Sequence, residues 1–228
     1  MSALAALLPL ALLGALVGLD VVSFPQAMFS RPLAAATLAG SLVGQPGKGL
    51  LAGVVLELFA LETQMFGASR YPEWGSASVV GGGLYAAQPD GSPGALLVSV
   101  FAALVTAGAG SWTMVAHRKS IARWAGGMRE ALARGSSDAV TSLQLRGLTS
   151  DLLRGGALTF VALAAFGPVT RAVLAVSTFE PAVSRAVVGA MAGAVGLAAV
   201  WKIVHATKGA AWYLLAGLAV GTALMLVT

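Results

Sequence analysis

From Gly94 to Ala116 the chain runs through apolar and small residues without one charged side chain. This run constrains the fold more than any other feature, because about 20 such residues, in a range of roughly 17–25, cross the hydrocarbon core of a bilayer. Ala3–Leu19 and Gly209–Val227 are equally uncharged, and Gly155–Thr178 carries only Arg171. Pro181–Val204 is a fifth run, with Arg185 near its start and Lys202 near its end. Charged residues make up 10% of the 228, against about 25% in a soluble domain. A transmembrane barrel requires short alternating strands instead of continuous apolar runs. The expected fold is an all-α integral membrane protein, a polytopic helical bundle. Ala3–Leu19 has no Lys or Arg before it, so it lacks the basic start of a signal peptide and is expected to stay as a helix.

Between Leu33 and Ala87 the pattern changes. Leu33–Val43, Leu50–Leu61 and Ser76–Ala87 are apolar but each is only about half a span, and they are separated by "GQPGKG" and "ETQMFGASRYPEWG". Short apolar pieces broken by Gly and Pro point to re-entrant hairpins or discontinuous helices in this N-terminal third. Such backbone survives at membrane depth only where protein or water covers it, and broken helices of this kind build transporter sites. An ordinary helical hairpin with imperfect ends is the plainer alternative. Small-xxx-small pairs such as Gly14–Gly18, Gly40–Gly44 and Gly49–Gly53 let helix backbones approach closely in lipid.

His117 to Arg154 is the one long polar stretch, with six arginines and Lys119 against Glu130, Asp138 and Asp151. Ile121, Trp124, Ala125, Met128, Ala131 and Leu132 recur at helical spacing. The segment reads as a cytoplasmic amphipathic helix followed by a short helix near Val140–Leu148. The net charge of +5 is concentrated here and signals no nucleic acid. The expected organisation is one membrane domain, 1–228. Within it 1–92 bears the short hairpins, 93–116 spans, 117–154 is cytoplasmic, and 155–228 holds the C-terminal spans.

Charge at bilayer depth costs roughly 2.5 kcal/mol or more, yet Asp20, Arg31, Glu57, Glu62, Arg70 and Glu73 all lie in or beside the short segments. Glu57 is the most deeply set, with Gly49–Leu56 before it and "LFAL" after it. On a helix it shares a face with Gly53 and Leu61, while Glu62 lies well around the helix and reads as a helix end. Two roles are open for Glu57. It forms a buried ion pair with Arg31 or Arg70 that pins the hairpins, or it accepts hydrogen bonds from a polar solute, since a carboxylate offers several lone-pair sites to sugar hydroxyls. His117 and His205 read as interfacial and lack metal-ligand neighbours. No Cys is present, no metal site or cofactor is expected, and "GGG" at Gly81–Gly83 lacks the ending of a phosphate loop, so packing or a hinge is expected there. Tyr71 and Trp74 read as interfacial anchors.

Asp20, the "Q-x-M-x-S-R-P" around Gln26, Arg31 and Pro32, the "G-x-x-x-G-x-P-x-x-G-L-L-x-G" run, the "L-E-L" at Glu57 and the "G-A-S-x-Y-P" at Gly67–Pro72 form an ordered set. It resembles the membrane IIC component of the mannose/sorbose-type sugar phosphotransferase system. About the first 80 residues carry the resemblance, and the rest fits by hydropathy. The chain departs from the commoner pattern in its length and in "GQPGKG", where Gln45 stands in place of an acidic residue. The resemblance implies a multi-pass protein of the bacterial inner membrane that binds and translocates a hexose-like sugar. It implies a IID membrane subunit as partner, and soluble IIA and IIB proteins that carry the phosphate on histidines. The chain itself is then no phosphorylated enzyme. The substrate-binding set implied is Asp20, Gln26, Arg31, Glu57, Glu62 and Arg70. A non-transporting scaffold or regulatory paralogue that docks phosphotransferase proteins is the other reading, and a homo-oligomer is compatible with both.

A cysteine placed at residue 135 tests the orientation, since the chain has none of its own. It is expected to react with an impermeant maleimide only from the cytoplasmic side; labelling from outside intact cells overturns the orientation.

Overall fold

The computed structural model describes residues 5–62, 71–177, 180–204, 209, 212–213, 215–217 and 219–221. Among them every regular element is helical. After a 3-10 turn at Ala5–Leu7 come α1 (Leu8–Val22), α2 (Pro32–Leu42), α3 (Pro46–Glu62) and α4 (Trp74–Ala86). These are followed by α5 (Pro93–Gly127), α6 (Arg129–Ala133), α7 (Ser137–Val176) and α8 (Pro181–Val204). Among the described residues, three helices are long and apolar enough to cross a membrane: α5, α7 and, over Pro181–Ala198, α8. Of the five runs expected to span, Ala3–Leu19 appears as the shorter α1 of 15 residues, and Gly209–Val227 falls largely outside the described residues.

Of the short segments, α2 and α4 are helices well under a span, whereas α3, with 17 residues, is longer than its apolar run. The prolines set their starts: Pro32 and Pro46 occupy the first helical positions of α2 and α3, where a missing N–H costs nothing and φ is already helical. Gly44, at φ +82, turns the chain between them, a conformation open mainly to glycine. α2 has 11 residues and α4 has 13, and every α4 residue from Gly75 to Ala86 is buried. Protein therefore covers the ends of α4, as a broken helix at membrane depth requires.

Glycine decides how tightly these pieces pack. A Cβ on Gly49 would lie 2.3 Å from the Ala36 carbonyl oxygen, and one on Gly82 2.6 Å from the same oxygen. α2 is thus clasped between α3 and α4. On the other side α1 lies along α7, where a Cβ on Gly18 would lie 2.9 Å from Gly155 Cα. Gly81–Gly83 pack against Ala103, Ala36 and Leu10. Leu10, Val17, Ala35, Val79, Val80 and Leu163 form one part of the core, and Ala52, Leu56, Tyr85, Val100 and Ala103 the other.

The polar stretch 117–154 departs from the expected pair of surface helices. His117–Gly127 continues α5 without a break, and residues 137–154 are the first turns of α7. Only the short α6 and a turn at Gly135, φ +72, interrupt them, and the Ser136 hydroxyl caps α7 by accepting from Ala139 N–H at 3.3 Å. A drop in hydrophobicity at Ala116 ends an apolar run but does not end a hydrogen-bonded ladder. With 35 residues, α5 reaches about 50 Å at about 1.5 Å per residue, well beyond a hydrocarbon core of about 30 Å. The ends of α5 and α7 therefore form a hairpin that extends past the apolar part of the bundle.

The close approach at Gly49 gives a sharp test. Gly49→Ala is expected to lower the melting temperature in detergent through a loss of about 1–3 kcal/mol. Gly108→Ala, where a Cβ meets nothing within 4 Å, is expected to be neutral or slightly stabilising.

Candidate functional site

Arg31 stands just before α2, and Glu57 faces it from the middle of α3. The Arg31 Nη2 donates to Glu57 Oε1, and the Leu33 N–H donates to Glu57 Oε2 at 3.1 Å. One carboxylate thus neutralises the arginine and satisfies a free N–H in the first turn of α2, where the helix dipole also favours negative charge. Of the two cations open to Glu57 in the sequence, Arg31 is the one in contact; Arg70 lies outside the described residues. The Glu57 side chain is 19% exposed and that of Arg31 44%, so both keep an open side. α3 ends at Glu62, as expected, but the Glu62 side chain is outside the described set.

The loop between α1 and α2 is drawn around Asp20. Its buried carboxylate accepts the Ala27 N–H at 2.7 Å and the Ser30 N–H at 2.8 Å. Gln26 and Met28 both have positive φ, 57 and 65, which costs a non-glycine residue roughly 1–2 kcal/mol. Two hydrogen bonds to a charged acceptor, each worth about 1.5–3 kcal/mol, are enough to offset both. Asp20 therefore shapes the loop, while Gln26, exposed on it, and Arg31 at its end are what the loop presents.

α4 starts beside the same place. Glu73 precedes its first turn and its oxygens accept the Ser76 N–H at 3.1 and 3.3 Å, while the Glu73 N–H donates to the Ala107 carbonyl at 3.1 Å. Val21, Ser30, Arg31, Pro32, Ala60, Pro72 and Trp74 line a cavity of about 70 Å³ between the starts of α2 and α4. Two helix N-termini beside one cavity favour oxygen-rich, electron-donating ligands. Ligand pockets run to about 300–1,000 Å³, so in this conformation the cavity admits a few waters and no sugar.

A second polar cluster lies where α1, α4, α5 and α7 meet. Asp151 Oδ1 is 3.2 Å from His117 Nε2 and 3.4 Å from Arg154 Nε, and Asp151 Oδ2 accepts the Ser23 hydroxyl. Arg154 Nη1 also donates to Thr113 Oγ1 at 3.4 Å. Beside them Arg118 donates to the Tyr71 hydroxyl at 2.8 Å. Within the protein, the His117 side chain is 8% exposed and Tyr71 likewise 8%. Sequence reasoning missed the cluster because 117–154 reads as a solvated face; the one available signal was Asp151 and Arg154 at helical i, i+3 spacing. His205 lies outside the described residues.

Arg154 is the cation nearest two buried carboxylates, Asp151 and Glu73. Arg154→Met is expected to cost about 3–5 kcal/mol, as breaking a buried pair does, and to show as a large fall in detergent melting temperature.

A family model described as the PTS system sorbose-specific IIC component matches residues 4–227. A solved structure described only as a membrane protein matches with a TM-score of 0.71 over all of this chain and 95% of that one. Its sequence identity is 22%, so the likeness is one of fold. No curated protein matches the chain.

Proposed function

Because the chain belongs to the sorbose-specific IIC family of the phosphotransferase system, and is therefore a membrane component of a sugar transporter, we propose that it binds and translocates a hexose-like sugar at the starts of α2 and α4. Phosphotransferase partners come with the family; the ones proposed are a IID membrane subunit and a soluble IIB protein that phosphorylates the sugar at the inner face of a bacterial cytoplasmic membrane. The sugar contacts proposed are Gln26, Arg31 and Glu57, with Asp20 holding the loop, and Glu62 and Arg70 as further members of the set.

The observation that carries this reading is the position of Glu57. Its two oxygens are bonded to Arg31 and to the Leu33 N–H, yet a carboxylate has about four lone-pair sites. Acceptor capacity is left for hydroxyls beside the cavity. The arginine supplies donors of its own, so together they match the mixed donor and acceptor character of a sugar edge. The helix starts add a field that favours lone pairs.

Glu57→Gln keeps the shape and an acceptor for the Leu33 N–H and removes the charge. Sugar affinity is expected to fall by about 1.5–3 kcal/mol, the worth of a charge-assisted hydrogen bond, which is on the order of ten- to a hundredfold. Sugar binding, uptake in the assembled system and melting temperature should be read on one preparation. Normal binding and uptake, with or without a lower melting temperature, leave Glu57 a purely structural residue.

A further inference from the structure

The loop from Ser23 to Arg31 is tied at three points. Its middle is held by Asp20 through the Ala27 and Ser30 N–H groups, and its end by Glu57 through Arg31. Its beginning is held from a different part of the molecule, by the Ser23 hydroxyl on Asp151 Oδ2 across 128 residues of sequence. The first two ties come from α1 and α3, which flank the loop. The third comes from α7, at the level where the bundle passes into the α5–α7 hairpin.

Asp151 is built to hold still. It is 2% exposed, and its Oδ1 lies against both His117 and Arg154, leaving Oδ2 for Ser23. Around it stand Glu73 at the start of α4, and Tyr71 paired with Arg118 of α5. Arg154 still has Nη2 buried without a hydrogen-bond partner among the described residues. The cluster is reached from one side by a groove of about 460 Å³ lined by Ser23, Ile121, Leu132, Val140, Leu143 and Asp151, among others. The tie between Ser23 and Asp151 is thus at the floor of a groove that opens along the hairpin.

We propose that Asp151 is a positioning residue for the sugar loop. By accepting the Ser23 hydroxyl while His117 and Arg154 fix its other oxygen, it sets from the inner end of the bundle where Gln26 and Arg31 stand. The proposal rests on the sugar reading above only in the purpose of the loop; the tie itself stands on its own geometry. The loop does not hold this shape by default, since two non-glycine residues in it have positive φ and Phe24, Met28 and Phe29 are exposed on it. Loss of one anchor frees its first residues and lets Arg31 drift from Glu57.

The test uses the full chain in permeabilised membranes from cells carrying the complete transporter. Ala27→Cys, at an exposed position, reports loop opening through its rate of maleimide labelling. Adding Ser23→Ala is expected to raise that rate severalfold and, without the reporter, to weaken sugar binding about tenfold at an unchanged melting temperature. Ser23→Thr, which keeps the hydroxyl, is expected to restore both. Asp151→Asn checks the other partner and should raise labelling as Ser23→Ala does. An unchanged labelling rate in Ser23→Ala overturns the proposal, as does a failure of Ser23→Thr to restore it. Faster labelling with normal sugar affinity keeps Asp151 as the anchor of the loop and overturns its link to sugar, so the sugar reading then fails by itself.

Discussion

A helix that stops inside a membrane leaves N–H and C=O groups that neither lipid nor water will satisfy, and the charged residues of this bundle are placed where that happens. Glu57 accepts from the first turn of α2. Glu73 accepts from the first turn of α4. Asp20 accepts two N–H groups of the loop that α1 runs into. At the opposite end of α4, the ammonium of Lys48 donates to the carbonyls of Gln88 and Pro89. Glu57 and Glu73 at helix starts and Lys48 beyond a helix end follow the helix dipole, and each satisfies backbone groups that cost several kcal/mol if left unpaired in hydrocarbon. The oily N-terminal third needs its few charges because its helices are short.

Glycine supplies the second condition. Carboxylates can reach helix ends in neighbouring segments only if the segments lie close, and Gly40, Gly49 and Gly82 bring α2, α3 and α4 to backbone contact. The same residues leave little room between the pieces. A tightly packed α2–α3–α4 unit with a cavity of about 70 Å³ at one end admits a sugar only after its parts separate. At the cavity the pieces are held by the ion pair of Arg31 and Glu57, whereas along the helices they are held by close backbone contact. Separation is therefore easiest at the end where Arg31, Glu57 and the loop lie.

Much of this was legible in the sequence, for identifiable reasons. Gly and Pro between apolar pieces marked α2 and α4 as short helices, since both residues act locally on the backbone, while α3 runs past its apolar piece to 17 residues. Arg31 was one of two candidates for Glu57, because a buried carboxylate needs a cation and few were near. The long helices were legible as apolar runs but not in their full extent: α5 and α7 continue into polar sequence where no breaker stops them. Glu73 stood out as a charge but not as a helix cap, because Ser, Thr, Asp and Asn are the usual residues at a helix start. Its neighbours Tyr71 and Trp74 also resemble an interfacial belt. The His117–Asp151–Arg154 cluster is a tertiary fact, formed by residues on two helices whose pairing no local pattern announces.

The double duty of Glu57 links stability to transport on the reading proposed above. When α3 moves away from the start of α2, the Leu33 N–H and the Arg31 guanidinium lose their acceptor, and Glu57 is left a poorly solvated charge. The Arg31 side chain is 44% exposed, so breaking the pair without replacement costs less than the loss of a fully buried pair. A sugar entering the opening can supply hydroxyls to both sides at once, donating to the carboxylate and accepting from the guanidinium. Each such bond to a charged group is worth about 1.5–3 kcal/mol, so two suffice to offset the break. The cavity of about 70 Å³ holds only a few waters, whereas a sugar brings donors and acceptors together on one ring. The empty unit is then held shut by its own ion pair, and it opens at low cost only around a ligand that carries donors and acceptors on neighbouring carbons. A sugar does, and an apolar solute does not, so the pair that closes the site also selects what can open it.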